Sequence, residues 1–169
     1  MSYGDIAVVL LADHPDLIHP AGVMRWVEWG DDDPSPAEWI AVTAREAGRD
    51  DLPVTLVALD RSRSAVGVVG LNAFDDALTD GERAGRTPWL VGLVVDRDAR
   101  HQRIGHRLVR AVEDLARHHG RDRLWVVTGS DAVGFYRACG WVDVEQFVTT
   151  QEQLPSTVLT RALPKSLPE

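Results

Sequence analysis

The stretch LVVDRDARHQRIGHRL, residues 93–108, changes character twice. Leu93, Val94 and Val95 end the almost wholly apolar run WLVGLVV (89–95), the composition of a strand buried on both faces. Residues 96–102 are polar. From Arg103 to His119, Ile104, Leu108, Val112 and Leu115 recur at helical spacing, while Arg103, Arg107, Arg110 and Arg117 lie largely off that stripe. LWVV (124–127) supplies a second buried strand. A strand–helix–strand unit over 89–127 is therefore expected, locally parallel and with a right-handed crossover.

Working outward, IAVVLL (6–11) reads as a first strand, and the stretch from Asp16 to Trp29 as a helix with apolar positions at Leu17, Val23, Met24, Trp26, Val27 and Trp29. Ser35-Pro36-Ala37-Glu38 has the signature of a helix start, with Ser35 as N-cap, and the helix should run to about Ala47 and stop at Gly48. VTLVAL (54–59) and AVGVVGLNA (65–73), joined by a short polar turn, predict an antiparallel hairpin. Phe74–Thr87 has no periodicity and reads as a functional or mobile loop. Asp131–Cys139 predicts a short helix stopped by Gly140 with Ser130 as N-cap, and Trp141–Phe147 and Thr157–Leu163 close the chain as a strand pair. The order β, α, α, β, β, β, α, β, α, β, β predicts an α+β fold, a mixed and mostly antiparallel sheet flanked by helices. No repeat or linker divides it, so residues 1–169 are expected to form a single domain.

The chain has 169 residues, 44% hydrophobic and 26% charged, enough for a substantial core without metals or disulfides. Cys139 is the only cysteine, which excludes an intrachain disulfide and a multi-cysteine zinc site. Neither a signal peptide nor a membrane-spanning run is recognisable, so a cytoplasmic protein with no membrane partner is expected. The net charge of −8 is unevenly spread: residues 1–99 hold 18 acids against 8 bases, whereas residues 100–123 hold seven arginines against three acids. An acidic first half argues against nucleic-acid binding, which needs a broad basic face. A local basic island suits a small polyanion, although a solvated helix face would carry the same charges.

The segment entering the helix at Arg103 sharpens that choice. A helix N-terminus presents unbonded N–H groups and the positive end of the helix dipole to a phosphate, and Gly105 permits close approach. GxxxxGK[ST] and GxGxxG are both missing, which excludes the common P-loop and dinucleotide fingerprints. His101, His106, His118 and His119 lack metal-ligand spacing, and Ser130 lacks a nucleophile-elbow context.

Arg100-His101-Gln102-Arg103-Ile104-Gly105 resembles the [R/Q]-x-x-G-x-[G/A] signature of the GNAT superfamily of acetyl-CoA-dependent N-acetyltransferases, with Arg103 in place of the first glycine. An Arg with ordinary helical torsions could still present its N–H at that place. Ala132-Val133-Gly134-Phe135-Tyr136-Arg137-Ala138-Cys139-Gly140-Trp141 is similar to that family's A-x-x-F-Y-x-x-x-G-[F/W] helix. PWLVGLVV (88–95), WVEWG (26–30) and LPVTLVA (52–58) resemble one bacterial group within it.

The resemblance implies an acetyl-CoA cosubstrate. Backbone groups of Leu93, Val94 and Val95 would hold its pantetheine arm on a strand that splays from its neighbour. The pyrophosphate would lie on N–H groups from Arg100 through His101, Gln102, Arg103, Ile104, Gly105 and His106 to Arg107, with Arg100 and Arg103 as side-chain contacts. The side chains of Leu93 and Val95 are also expected to pack the core. Tyr136 would act on the cofactor as the acid that protonates the leaving thiolate. Cys139, three residues on, shares its helix face and reads as a packing residue rather than an acyl carrier. Glu28, Asp75, Asp76 and Glu82 would flank the acceptor, with Glu28 and Asp76 as leading candidates for the base. Together these acids suggest a small, cationic amine acceptor. A peptide N-terminus as acceptor, and a non-catalytic acyl-CoA-binding module, are the alternatives. The family also contains dimers, for which the two C-terminal strands would be the interface.

Overall fold

The computed structural model describes residues 5–75, 85–148 and 155–165. Its seven strands have the hydrogen-bonded order β1-β2-β3-β4-β5-β7-β6, mostly antiparallel, and the chain divides into two compact units. The first comprises Met1–Asn72 and Val91–Val112, the second Ala73–Leu90 and Glu113–Glu169. The fourth strand, β4 (Trp89–Val95), and the third helix, α3 (Ile104–His118), each run from one unit into the other.

In the first unit, β1 (Ala7–Leu10) pairs antiparallel with β2 (Val54–Leu59), which forms the expected hairpin with β3 (Ala65–Asn72). Its turn closes through the Asp60 N–H to the Ser64 carbonyl and the Ser64 N–H to Asp60 Oδ1, both at 3.0 Å, with Arg63 at φ +63°. Every residue of β2 is buried. Val57, Leu59 and Val68 join Leu11, Leu17, Ala21 and Val94 in one cluster beneath the first helix, α1 (Ile18–Trp29). One residue before Val68, Gly67 faces the other way, as strand alternation requires. A Cβ there would lie 2.8 Å from Leu108 Cδ1 and 3.2 Å from Ile104 Cγ2.

The helices begin and end where hydrogen bonds dictate. Leu11 enters a 3₁₀ turn rather than extending β1, and a further 3₁₀ turn over Pro15–Leu17 precedes α1. The buried face of α1 is Ala21, Gly22 and Arg25, whereas Val27 and Trp29 are exposed. Gly22 explains this face: its Cβ would sit 2.6 Å from Ile40 Cα, so α1 approaches the second helix, α2 (Ala37–Arg45), closely enough to exclude any side chain. Pro36, not Ser35, occupies the cap of α2, although Ser35 Oγ accepts the Ala37 N–H at 3.2 Å. The helix stops at Arg45, before the expected Ala47, and the Glu46 carbonyl accepts instead from Thr55 Oγ1 at 3.0 Å.

In the second unit, β7 (Pro155–Ala162) inserts between β5 (Arg123–Gly129) and β6 (Val142–Val148), antiparallel to both. The expected closing pair is thus present. The start of β4 meets β5 in parallel at Trp89↔Trp125, as predicted, and the ladder consists of that one pair. The fourth helix, α4 (Ser130–Ala138), is capped by Gly129, whose extended backbone takes the place expected of Ser130. Gly140 at φ +91° ends it, with the Trp141 N–H bonded to the Tyr136 carbonyl at 3.0 Å. Among the described residues no helix is long and apolar enough to cross a membrane.

Candidate active site

The polar loop after β4 is built by short-range hydrogen bonds. The Asp96 N–H bonds the Val66 carbonyl and Asp96 Oδ1 accepts the Asp98 N–H, each at 2.9 Å, winding residues 97–99 into a 3₁₀ turn. Arg100 is extended, and His101 and Arg103 then adopt φ +64° and +61°. Arg103 therefore does not take the ordinary helical torsions expected of it. It occupies the left-handed conformation that glycine adopts without penalty, at a cost to an L-residue of about 1–2 kcal/mol. The helical ladder opens at Arg103, whose carbonyl accepts the Arg107 N–H at 3.1 Å. The N–H groups of Ile104, Gly105 and His106 stand at the first turn of α3, where no intrahelical carbonyl reaches them. Ile104 is buried, His101 and Arg103 are exposed, and Gln102, Gly105, His106 and Arg107 are half-buried. Burial, and secondarily the Arg103 charge, lowers the His106 pKa and favours its neutral imidazole.

Two residues expected to serve different ends of the reaction meet in the first unit. Arg100 Nη2 pairs with Glu28 Oε2 at 2.9 Å, and Arg100 Nε donates to the Val95 carbonyl at 3.1 Å. The guanidinium thus ties the loop to the last turn of α1. Of the strand residues, Val94 enters the core, whereas Leu93 and Val95, expected to pack it as well, are half-buried.

Nothing in the sequence singles out Arg25. The structure buries it to 3% exposure. Nη1 donates to Thr43 Oγ1 at 3.2 Å and lies 3.6 Å from Glu46 Oε1, while Thr43 Oγ1 itself donates to the Trp39 carbonyl at 2.8 Å. Among the described residues, Nε and Nη2 have no hydrogen-bond partner. Burial lowers the Arg25 pKa and the Glu46 charge opposes the shift. The guanidinium rests on two glycines: a Cβ on Gly92 would meet Nη2, Nε and Cζ at 2.9, 3.0 and 3.1 Å, and one on Gly70 would meet Nη2 at 3.3 Å. Gly92 has φ +60°, a kink within β4 that other residues rarely adopt.

In the second unit, Tyr136 lies in the last turn of α4 at 4% exposure, edge-on to Phe135 at 5.1 Å and to Trp141 at 5.5 Å. Burial, with a smaller contribution from Cys139, raises its phenol pKa well above the usual value, so the group keeps its proton throughout the physiological range. Asp76 and Glu82 lie outside the described residues. Among those described, no three His, Cys, Asp or Glu side chains gather where they could hold a metal ion.

No curated protein matches this chain by sequence. Solved structures do match in fold. An aminoglycoside 6'-N-acetyltransferase complexed with coenzyme A superposes with a TM-score of 0.74 at 14% identity, covering 96% of this chain and 99% of that one. The acetyltransferase yncA from Salmonella typhimurium, solved with acetyl-CoA, gives 0.68 at 14% identity over 98% of both chains. The spermidine/spermine N-acetyltransferase SpeG from Vibrio cholerae gives 0.69 at 12% identity, covering 95% of this chain and 94% of that one. At such identities the likeness concerns the fold. The sequence itself matches the family model described as Acetyltransferase (GNAT) family over residues 21–141, a span that holds the β4–α3 loop, Arg25 and Tyr136. The chain belongs to the GNAT family of acetyltransferases.

Proposed function

We propose that residues 1–169 act as one N-acetyltransferase domain that moves the acetyl group of acetyl-CoA to the primary amine of a small, cationic acceptor. The observation that carries this reading is the loop leaving β4, in which His101 and Arg103 turn left-handed and deliver the chain into α3. Successive N–H groups in such a conformation form a concavity for anionic oxygens, and the helix dipole adds to it. The donors fit a diphosphate: backbone N–H groups from Arg103 to His106, with the Arg103 and Arg107 guanidinium groups for charge-assisted bonds. The one-pair ladder at Trp89↔Trp125 supports a role for the later β4 residues Leu93, Val94 and Val95 in holding an extended arm by backbone hydrogen bonds.

Bound acetyl-CoA would supply an activated acetyl thioester. Tyr136, kept protonated by burial, would donate a hydrogen bond to the sulfur that departs. An ordinary thiol has a pKa of about 8.5, so a phenol raised above its usual value of about 10 stabilises the thiolate as a donor more readily than it surrenders its proton outright. Glu28 and Asp76 would accept the amine's proton through water. Glu28 already pairs with Arg100 Nη2 at 2.9 Å, a contact that an incoming amine would have to share. Relatives that act on aminoglycosides and on spermidine/spermine support an amine acceptor.

Calorimetric titration with acetyl-CoA tests the reading, followed by acetyl transfer across amines and short peptides. Selective binding, with turnover of small amines that Tyr136→Phe lowers about 10²-fold or more, is the expected outcome. Binding with no turnover over the whole panel would instead identify a non-catalytic acyl-CoA-binding protein.

A further inference from the structure

The unpartnered edge of Arg25 has a definite chemistry. Nη1 is occupied by Thr43 and Glu46, both held by α2 and the residue that ends it. Nε and Nη2 remain, and in a guanidinium these two N–H vectors run parallel along one side, the fork that matches the two oxygens of a carboxylate. Thr43 and Glu46 leave that edge unbonded, though buried, with Glu46 Oε1 3.6 Å from Nη1 and beyond hydrogen-bond reach. The bases of two strands make room for the group: glycine at 70 and 92 is what allows a guanidinium to lie on β3 and β4 at all. Leaving two buried cationic donors unbonded is expensive, so the arrangement is at its most stable when an anion with two acceptors closes the edge. A single water could bond the two N–H groups, whereas a carboxylate would match the fork with both of its oxygens.

We infer that the Nε–Nη2 edge of Arg25, seated on Gly70 and Gly92, binds a carboxylate carried by the acceptor, so that the amine acetylated belongs to a small amino-acid-like molecule. The inference rests on the acetyltransferase reading for the word acceptor and narrows its cationic amine to one that also bears a carboxylate; the carboxylate site itself can be tested without turnover. Gly92, on which the edge rests, is half-buried, as are its chain neighbours Val91 and Leu93. The anionic end of such a molecule would meet Arg25, while its ammonium is drawn to the acids of the first half of the chain.

The test uses the full-length protein labelled with ¹⁵N-arginine. A guanidinium this buried gives a resolved Nε–H signal, identified by its nuclear Overhauser contact with the Gly92 α-protons, so no variant is needed for assignment. Sodium acetate should move that signal downfield along a saturating curve, and sodium chloride at equal ionic strength should not. Glycine should likewise raise the thermal unfolding midpoint more than glycinamide does, and that difference should vanish in Arg25→Lys, which keeps the charge and loses the fork. An Nε–H signal that ignores acetate, or follows chloride equally, overturns the assignment, whether or not Arg25→Lys folds. Acetyl-CoA is titrated into the same sample: failure there sinks the acetyltransferase reading, and the acetate curve still decides the carboxylate site.

Discussion

Replacing Arg103 in turn by Gly, Ala and Val measures the torsion that the loop imposes. All three variants remove the same charge, so differences among them report on the backbone alone. Arg103 sits at φ +61°, where an L-residue costs roughly 1–2 kcal/mol over its preferred region. Gly escapes that penalty but gains about 0.4–1 kcal/mol of freedom in the unfolded chain. The net gain of Arg103→Gly over Arg103→Ala is therefore about 0.5–1 kcal/mol. Val is branched at Cβ and fits the left-handed region worst, so Arg103→Val should fall a further ~1 kcal/mol below Ala. The expected spread between Gly and Val, about 1.5–2 kcal/mol, corresponds to roughly 3–8 °C in unfolding midpoint for a chain of this size. Guanidinium chloride unfolding at constant m resolves such a spread. Equal midpoints for Gly and Val, or a Gly variant less stable than Ala, would refute the left-handed assignment. Arg103→Lys keeps the charge and the strain, so comparing its acetyl-CoA affinity with that of Arg103→Ala isolates the electrostatic part, expected at about tenfold.

Tyr136→Phe keeps the stacking on Phe135 and Trp141 but removes the donor; kcat should fall about 10²-fold or more while the KM for acetyl-CoA stays nearly constant. Because folding raises the phenol pKa, the native state holds its proton more tightly than the unfolded chain, and stability should decline as pH climbs past about 10, a loss missing in the Phe variant. His106 has the opposite sign: its pKa is lowered, so the unfolded chain binds the proton more tightly, stability is complete above 6.5 and falls as pH drops below it, and His106→Gln should flatten that slope in urea titrations. Glu28→Gln breaks a half-exposed ion pair and should cost under about 1 kcal/mol of stability, and it should reduce kcat by less than the roughly 10²-fold that a dedicated general base commands. Gly22→Ala drives a methyl to 2.6 Å from Ile40 Cα, a backbone atom that cannot yield, and should destabilise the protein by about 1–3 kcal/mol, read as a fall in the unfolding midpoint.

Elements whose signal is local were legible in the sequence. The hairpin of β2 and β3 follows from two β-branched runs flanking a polar turn, and α3 from an apolar stripe at helical spacing. The single parallel contact at Trp89↔Trp125 follows from chain order, because a strand–helix–strand crossover has one favoured hand. Element ends were less legible, since partners distant in sequence decide them. The Thr55 hydroxyl engages the last carbonyl beyond α2, and no propensity within α2 foretells it.

The inner face of α1 shows why the candidate site was only partly legible. Read by hydropathy, the helix should bury Val27 and Trp29, yet those are the exposed residues, and the buried ones are two small residues and a charge. Hydropathy assumes that burial follows transfer free energy, whereas here close approach decides. Gly22 lets α2 come within backbone distance, Ala21 fits beneath the sheet cluster, and Arg25 fills the wider space over Gly70 and Gly92. That space exists only because two glycines, far apart in the chain, fall on neighbouring strands. The glycine kink in β4 and the arginine in α1 are each unremarkable alone; one is a flexible residue in a strand, the other a cation in a helix. Their pairing becomes visible when the sheet brings them so close that a Cβ on Gly92 would meet the guanidinium at 2.9–3.1 Å, and it leaves the protein with a fixed, buried, half-satisfied cation beside the strand that leads into the candidate cofactor loop. A group so costly to bury is retained at a site more readily than in a core, where an apolar residue of equal volume would serve stability better.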